Sequence, residues 1–361
     1  MKFELTLKRC YILPLSMSMK SKQSAAAELS GARTCVIFPG ALGDFICFLP
    51  ALRALAERAP LDLFAQSRFA DVAPEGVAVR SLERPEINKL FASESLDDES
   101  VKSFLGAYDA VFSWLGGRSE RFASRLQALT GSRARLFPFR PATPQGHQAD
   151  YYLSCLNRGE VLPSQPMIAL RREAILWRDD FCARHALDQR PVLAIAPGSG
   201  AREKNWPEDF FLGVAQWWHA ATGGAVTLLA GPVEQERGGI EKLRRCCLVA
   251  DELRLSQAAA LVSRCTVYLG NDSGMSHLAA ALGVRTVAIF GPSDVRQWAP
   301  RGDKVTIVRR NIACSPCSEP MMKSCLHRAC LRELLSRDVI RVLAALPEVV
   351  TLTRYRAGIT V

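Results

Sequence analysis

YLGNDSGMSHLAAALG, Tyr268 to Gly283, carries the order strand, polar turn, helix in sixteen residues. An apolar and β-branched run, Cys265 to Leu269, stops at Asn271-Asp272-Ser273-Gly274, and an alanine-rich helix follows at once. On open α/β sheets this order marks a phosphate site, because the first amides of a helix lack intrahelical partners and the helix dipole favours an anion. Asp272 or Ser273 can cap the helix through a side-chain oxygen, Gly274 lets a ligand approach the backbone, and His277 sits near the same mouth. Taken alone, the segment is equally an ordinary capped helix with a buried histidine in its first turns.

Outward from this segment, short β-rich runs alternate with amphipathic helices along most of the chain, which favours parallel α/β sheets. Cys35 to Pro39, Leu61 to Ala65, Ala78 to Ser81 and Ala110 to Trp114 are the strand candidates of a first half. Val192 to Ala196, Val226 to Ala230, Val267 to Leu269, Thr286 to Phe290 and Val305 to Val308 are those of a second. Both halves open on a strand, a Pro-Gly turn and a helix, FPGALGD in one and APGSGAREKNW in the other, as two Rossmann-like domains would. The boundary falls in the stretch from Pro163 to Arg190.

Three further turns offer chemistry. Gly40 and Gly43 loosen the turn after the first strand, and Asp44 opens a helix with Ile46, Leu49, Leu52 and Leu55 on its apolar face; Asp44 is a general base or simply a cap. In APGSGAREKNWPEDFF, Gly198, Ser199 and Gly200 supply amides and a hydroxyl while Lys204 supplies a mobile charge, the donors a diphosphate requires. Glu234 in LAGPVEQE can accept from ribose hydroxyls or serve as favourable first-turn charge. The GxxxxGK[ST] spacing of a Walker loop is absent.

Composition frames these turns. With 361 residues, 48% hydrophobic and 23% charged, the chain is that of a globular enzyme with two cores. A net charge of +10 suits an acidic partner surface, nucleic acid being the poorest candidate because no dense basic run alternates with aromatics. Residues 1–30 imitate a signal peptide weakly, since Pro14 breaks the short apolar run, and read as a tail; Met17 or Met19 can serve as the start. No apolar run of about 20 residues exists to span a bilayer, so the expected compartment is the cytoplasm, with reduced cysteines.

GALGDFICFLPALRAL, APGSGAREKNWPEDFF, LAGPVEQE and GNDSGMSHLAAALGVRTVAIFGPSDVRQWAPRG follow one another in this order. Together they resemble glycosyltransferase family 9, the heptosyltransferases of lipopolysaccharide synthesis, from about Thr34 to Gly302, the last segment being the most specific. The resemblance implies a GT-B fold of class α/β, two Rossmann-like domains with parallel sheets facing across a cleft. Residues 31–175 would form the acceptor domain, 176–340 the nucleotide-sugar donor domain, and 341–361 a helix end and tail. It also implies inversion at the anomeric carbon without a required metal or cofactor. ADP-heptose would be the donor and a lipopolysaccharide core or related glycolipid the acceptor, with peripheral contact at an anionic membrane surface.

By the same resemblance, Asp44 falls on the catalytic base, after Gly43. Ser199, Gly200 and Lys204 fall on the diphosphate loop, and Glu234 on the acidic nucleotide contact. Asp272, Ser273, Gly274 and His277 fall on the donor-sugar and phosphate segment. Phe38 departs from the pattern, standing where many members carry arginine, and Met275 and Arg285 stand where proline is frequent. The resemblance also sends the amphipathic helix from Asp338 to Leu346 back toward the first domain.

Cys314, Cys317, Cys325 and Cys330, with His327 among them, have the count for a structural zinc site but not a regular second pair; reduced thiols are the default reading. Two other functions remain open on the residues alone. One is a nucleotide-sugar 2-epimerase, which needs no acceptor; the other is a binding module that kept the anion cradle and lost the acceptor site.

Overall fold

The computed structural model describes residues 32–92, 98–141, 143, 146–156, 165–231, 234 and 238–356. The tail read at 1–30 lies outside them. Two parallel sheets organise the chain. The first holds β1 (Thr34–Ile37), β2 (Leu61–Ala65), β3 (Val77–Ser81), β4 (Ala110–Ser113) and β5 (Ala134–Leu136) in the order β3-β2-β1-β4-β5. The second holds β6 (Val192–Ala196), β7 (Ala225–Ala230), β8 (Leu248–Asp251), β9 (Val267–Asn271), β10 (Thr286–Phe290) and β11 (Val305–Arg309) in the order β11-β10-β9-β6-β7-β8. Central strands such as VLAIA in β6 and TVAIF in β10 are buried along their whole length, since helices cover both faces of a parallel sheet.

Both strand orders reverse direction once, between β1 and β4 in the first sheet and between β6 and β9 in the second. At such a switch point the loops leaving the two central strands run to opposite faces and open a crevice at the carboxyl ends. The turns after β1, β6 and β9 therefore all emerge at crevices. This is what makes Asp44, Lys204 and Asp272 neighbours despite their distance in sequence.

The domains meet along a seam built from two helices, Leu42–Ala56 of the first and Gly274–Ala281 of the second. Leu278, Ala281 and Ala259 join the core of the first domain beside Phe45, Leu49 and Leu52. Polar contacts flank the apolar seam: the Ser256 amide donates to Asp71 Oδ2 at 2.9 Å, and Arg301 grips Asp150 through two nitrogens, one at 2.7 Å.

The C-terminal part differs from expectation. The helices Ser336–Ala344 and Pro347–Arg356 pack on the second domain rather than the first, and residues read as a tail are helical to Arg356. Val339, Leu343, Leu346 and Val349 enter the same core as Phe211, Val214 and Trp218 of the helix Glu208–Thr222. The amphipathic stripe of Ser336–Ala344 thus buries Val339 and Leu343 completely against that helix. Arg285 ties the arrangement by pairing with Glu348 at 3.0 Å.

Candidate functional site

On the second-domain side, Asn271 organises the turns. It ends β9 fully buried, donates from Nδ2 to the Pro197 carbonyl at 2.6 Å, and accepts at Oδ1 from the Trp206 amide at 3.1 Å. One carboxamide thus fastens the loop after β6 to the loop after β9. Between them, Lys204 Nζ donates to Asp272 Oδ2 at 2.8 Å. The Ser199 hydroxyl turns into its own loop, within reach of Asn205 Oδ1 at 2.6 Å and the Ala201 carbonyl at 2.7 Å. A side chain at Gly200 would meet only open space.

Glu234 accepts at Oε2 from the Gly231 amide at 2.7 Å, and its carboxylate lies across Gly198. A Cβ at Gly198 would come 1.3 Å from Glu234 Oε1, so this position is glycine because the carboxylate passes over it. Gly198, Asn205, Trp206 and Glu234 line a small cleft.

The helix Gly274–Ala281 corrects one expectation. Neither Asp272 nor Ser273 caps it: Asp272 is engaged by Lys204, and Ser273 Oγ is buried without a hydrogen-bond partner. The helix Leu42–Ala56 likewise has Ala41 at its cap position, with no side-chain hydrogen bond. Neither helix mouth is capped by the side chain of its cap residue, although Asp44 accepts from the Ala41 amide at the mouth of its own helix.

His277 is buried, with Nδ1 3.7 Å from Cys47 Sγ across the seam. Burial pushes its pKa down to about 4, against the pull of the Asp272 charge, so the ring is neutral at pH 7 and contributes no cation.

On the first-domain side, Asp44 occupies the third helical position after the β1 turn, its side chain 11% exposed. Burial raises its pKa, opposed by the charge of Arg140 and, more weakly, of Lys204. Asp44 Oδ1 lies 2.9 Å from Arg140 Nη2, yet off the hydrogen-bond axis, and Oδ1 and Arg140 Nη1 are both buried without a hydrogen-bond partner. The guanidinium carbon is 4.8 Å from the Phe139 ring centre and 4.3 Å from that of Trp298, which belongs to the second domain. Tyr152 Oη and Gln148 Oε1 are also buried and unpartnered.

Phe38 is a core residue. It stacks on Phe48 at 4.3 Å and meets Tyr152 and Phe139 edge-on at 5.5 and 5.7 Å. Gly40 makes room for it, since a Cβ there would come 2.3 Å from the Phe38 ring.

The seam therefore brings Asp44, Lys204, Asp272, Ser273, Gly274 and His277 together, with Glu234, Ser199 and Gly200 along the second-domain side. Sequence reasoning passed over Arg140, Trp298 and Asn271. Arg140 sits in a proline-rich loop that fits no motif; Trp298 and Asn271 lay inside quoted segments, without a spacing rule to single them out. Cys314, Cys317, Cys325, His327 and Cys330 do line one small pocket, with the cysteines as free thiols. Among the described residues no three His, Cys, Asp or Glu side chains are placed to hold a metal. No described helix is long and apolar enough to cross a membrane.

Two Rossmann-like domains whose switch-point turns converge on one cleft define the GT-B architecture. Solved structures agree. A family 9 glycosyl transferase from Veillonella parvula superposes with a TM-score of 0.71 at 21% identity over 90% of this chain and 99% of its own. ADP-heptose lipopolysaccharide heptosyltransferase II of Escherichia coli does so with 0.66 at 19% identity, over 88% of this chain and 99% of its own. Residues 165–326 match the model of glycosyltransferase family 9 (heptosyltransferase). The lipooligosaccharide heptosyltransferase 2 of Haemophilus influenzae is 32% identical over 132 residues, 34% of this chain and 38% of its own length, so the chain spans well under two thirds of this relative.

Proposed function

We propose that the protein is an inverting glycosyltransferase that moves heptose from ADP-heptose to a lipopolysaccharide-core or related glycolipid acceptor. The observation that carries this reading is the placement of Asp44 and the Lys204–Asp272 pair on opposite sides of one seam, close enough for the Lys204 charge to act on Asp44. Asp44 removes the proton of the acceptor hydroxyl as that oxygen attacks the anomeric carbon, and the nucleoside diphosphate leaves from the opposite face. A carboxylate raised by burial keeps more basicity than one in water, which suits this role. Lys204 and the two uncapped helix mouths stabilise the charge growing on the diphosphate, and Glu234 holds the nucleoside. With these donors in place the reaction needs no divalent ion. The similarity to an ADP-heptose enzyme of the same fold supports the donor, and the net charge of +10 suits an anionic acceptor surface at the cytoplasmic face of a membrane.

The test is Asp44→Asn, assayed with ADP-heptose and a truncated core acceptor in the presence of EDTA. Wild-type turnover is expected to survive the chelator. The variant is expected to lose turnover about 10²- to 10⁴-fold, the usual contribution of a general base, while ADP affinity measured by calorimetry stays within about twofold. Turnover retained by the variant removes Asp44 from the mechanism; loss of wild-type activity in EDTA removes metal independence.

A further inference from the structure

Arg140 has a donor with nothing to bind. Its guanidinium lies against two rings, Phe139 from its own domain and Trp298 from the other, and its N–H donors point outward in the guanidinium plane. One edge nitrogen, Nη2, reaches Asp44; Nη1 is buried and unsatisfied. A buried N–H with no acceptor costs about 1–3 kcal/mol, and such a group calls for an oxygen that arrives from outside. The other cations at the seam have their carboxylates: Lys204 takes Asp272 at 2.8 Å, and Arg301 takes Asp150 at 2.7 Å. Beside Arg140, the fully buried Tyr152 and the nearly buried Gln148 each leave a polar oxygen unpartnered. The phenol of Tyr152 faces the charges of Asp44 and Arg140, with the Gln148 carboxamide beside it, so buried polar atoms gather on the first-domain side of the cleft.

We propose that Arg140 is the acceptor-positioning residue of this site, one edge of its guanidinium holding Asp44 and the other receiving an anionic oxygen, carboxylate or phosphate, carried by the acceptor next to the attacking hydroxyl. The inference rests on the glycosyl-transfer reading above. An anion is the fit because a guanidinium edge offers parallel N–H donors that match the paired oxygens of a carboxylate or phosphate, and a stacked guanidinium keeps its full charge. Arg140 then aligns the nucleophile and its base through one rigid plane. The contact with Trp298 forms only when the domains are together.

The experiment measures initial rates of the full chain and of Arg140→Ala and Arg140→Lys. The acceptor is a truncated lipopolysaccharide core presented intact, after phosphatase treatment, and after carbodiimide reduction of its carboxylates. Arg140→Ala is expected to raise the acceptor KM at least tenfold on the intact core while the ADP-heptose KM stays within twofold, with Arg140→Lys recovering part of the loss. One treated acceptor is expected to be as poor for the wild type as the intact one is for Arg140→Ala, and it identifies the anion. Because Arg140 opposes the burial that raises Asp44, its removal also moves the acid limb of kcat/KM to higher pH; Lys204, Tyr152 and Cys47, the other groups facing Asp44, are unchanged between the variants. An unchanged acceptor KM, or an equal loss on intact and both treated acceptors, overturns the proposal. Far-ultraviolet dichroism and melting of each variant separate this from misfolding. An active Asp44→Asn would overturn the base without touching the acceptor dependence of Arg140, so the two failures are distinguishable.

Discussion

Gly274→Ala is a one-methyl test of how the two domains close. A Cβ at this position would lie 2.8 Å from Leu42 Cβ, 3.0 Å from Leu42 Cγ and 2.9 Å from the backbone nitrogen of Gly43. Leu42 can swing its side chain; the Gly43 nitrogen moves only if the whole helix mouth retreats. Overpacking of this kind costs about 1–3 kcal/mol, and at the first helical position the better helix propensity of alanine returns less than about 1 kcal/mol. Since the colliding atoms belong to different domains, the cost falls on closure rather than on either fold. A shift of about 1–3 kcal/mol opens the closed population about 5- to 150-fold. Small-angle scattering of the unliganded variant is expected to give a larger radius of gyration, with far-ultraviolet dichroism unchanged and kcat/KM reduced in proportion. Gly43→Ala makes the internal control. Its Cβ would meet His277 Cδ2 at 3.4 Å and Gly274 Cα at 3.5 Å, ordinary contact distances, so compactness and melting temperature should match the wild type. If Gly274→Ala is as compact and as fast as the wild type, the glycine contact is not what closes the cleft.

Two more outcomes follow from groups buried at the site. Asn271→Leu strands the Pro197 carbonyl and the Trp206 amide in the core and is expected to cost about 2–5 kcal/mol, read as a lower urea midpoint of the second domain. His277 has a folded pKa of about 4 against an ordinary value of 6.5, so its contribution to stability is complete above pH 6.5 and falls away as pH drops toward 4. His277→Gln should therefore lose on the order of 3 kcal/mol less than the wild type between pH 7 and pH 4 in urea titrations; parallel pH curves for the two proteins would contradict the assignment. The raised pKa of Asp44 acts in the opposite sense over part of the same range and, being present in both proteins, cancels in the difference.

The two-domain plan was legible because a buried parallel strand such as VLAIA or TVAIF is an apolar run that little else produces, and because the same strand, Pro-Gly turn and helix begin both halves. Two of the four edge strands were not. β5 is the three residues ARL and β8 the four residues LVAD, too short and too polar for a period to register. At the site, Asp44, Lys204 and Asp272 could be named because each lies at a fixed step from a strand end. Arg140 could not, since its position depends on a proline-rich loop folding back over a helix. The cap at Ser273 failed for a related reason: propensity favours a hydroxyl there, but the neighbouring loop delivers a lysine to Asp272 and leaves the serine buried and unpaired. The last helices illustrate competition between surfaces. An amphipathic stripe announces that it will pack, but not against which neighbour.

That choice by the last helices has a consequence for how the molecule moves. With Ser336–Ala344 and Pro347–Arg356 both committed to the second sheet, the described backbone passes from one domain to the other at a single place, ahead of the helix Arg172–Arg184. One covalent thread constrains neither the twist nor the tilt of the two bodies it joins. Their relative pose is then set by the seam itself: the apolar contacts of Leu278, Ala281 and Ala259, two closely packed glycines, the Arg140 guanidinium against Trp298, the Ser256 amide on Asp71 and one bidentate ion pair. The half carrying Lys204, Asp272 and Glu234 is correspondingly a self-contained module, which could be joined to a different partner half without cutting a strand of either sheet.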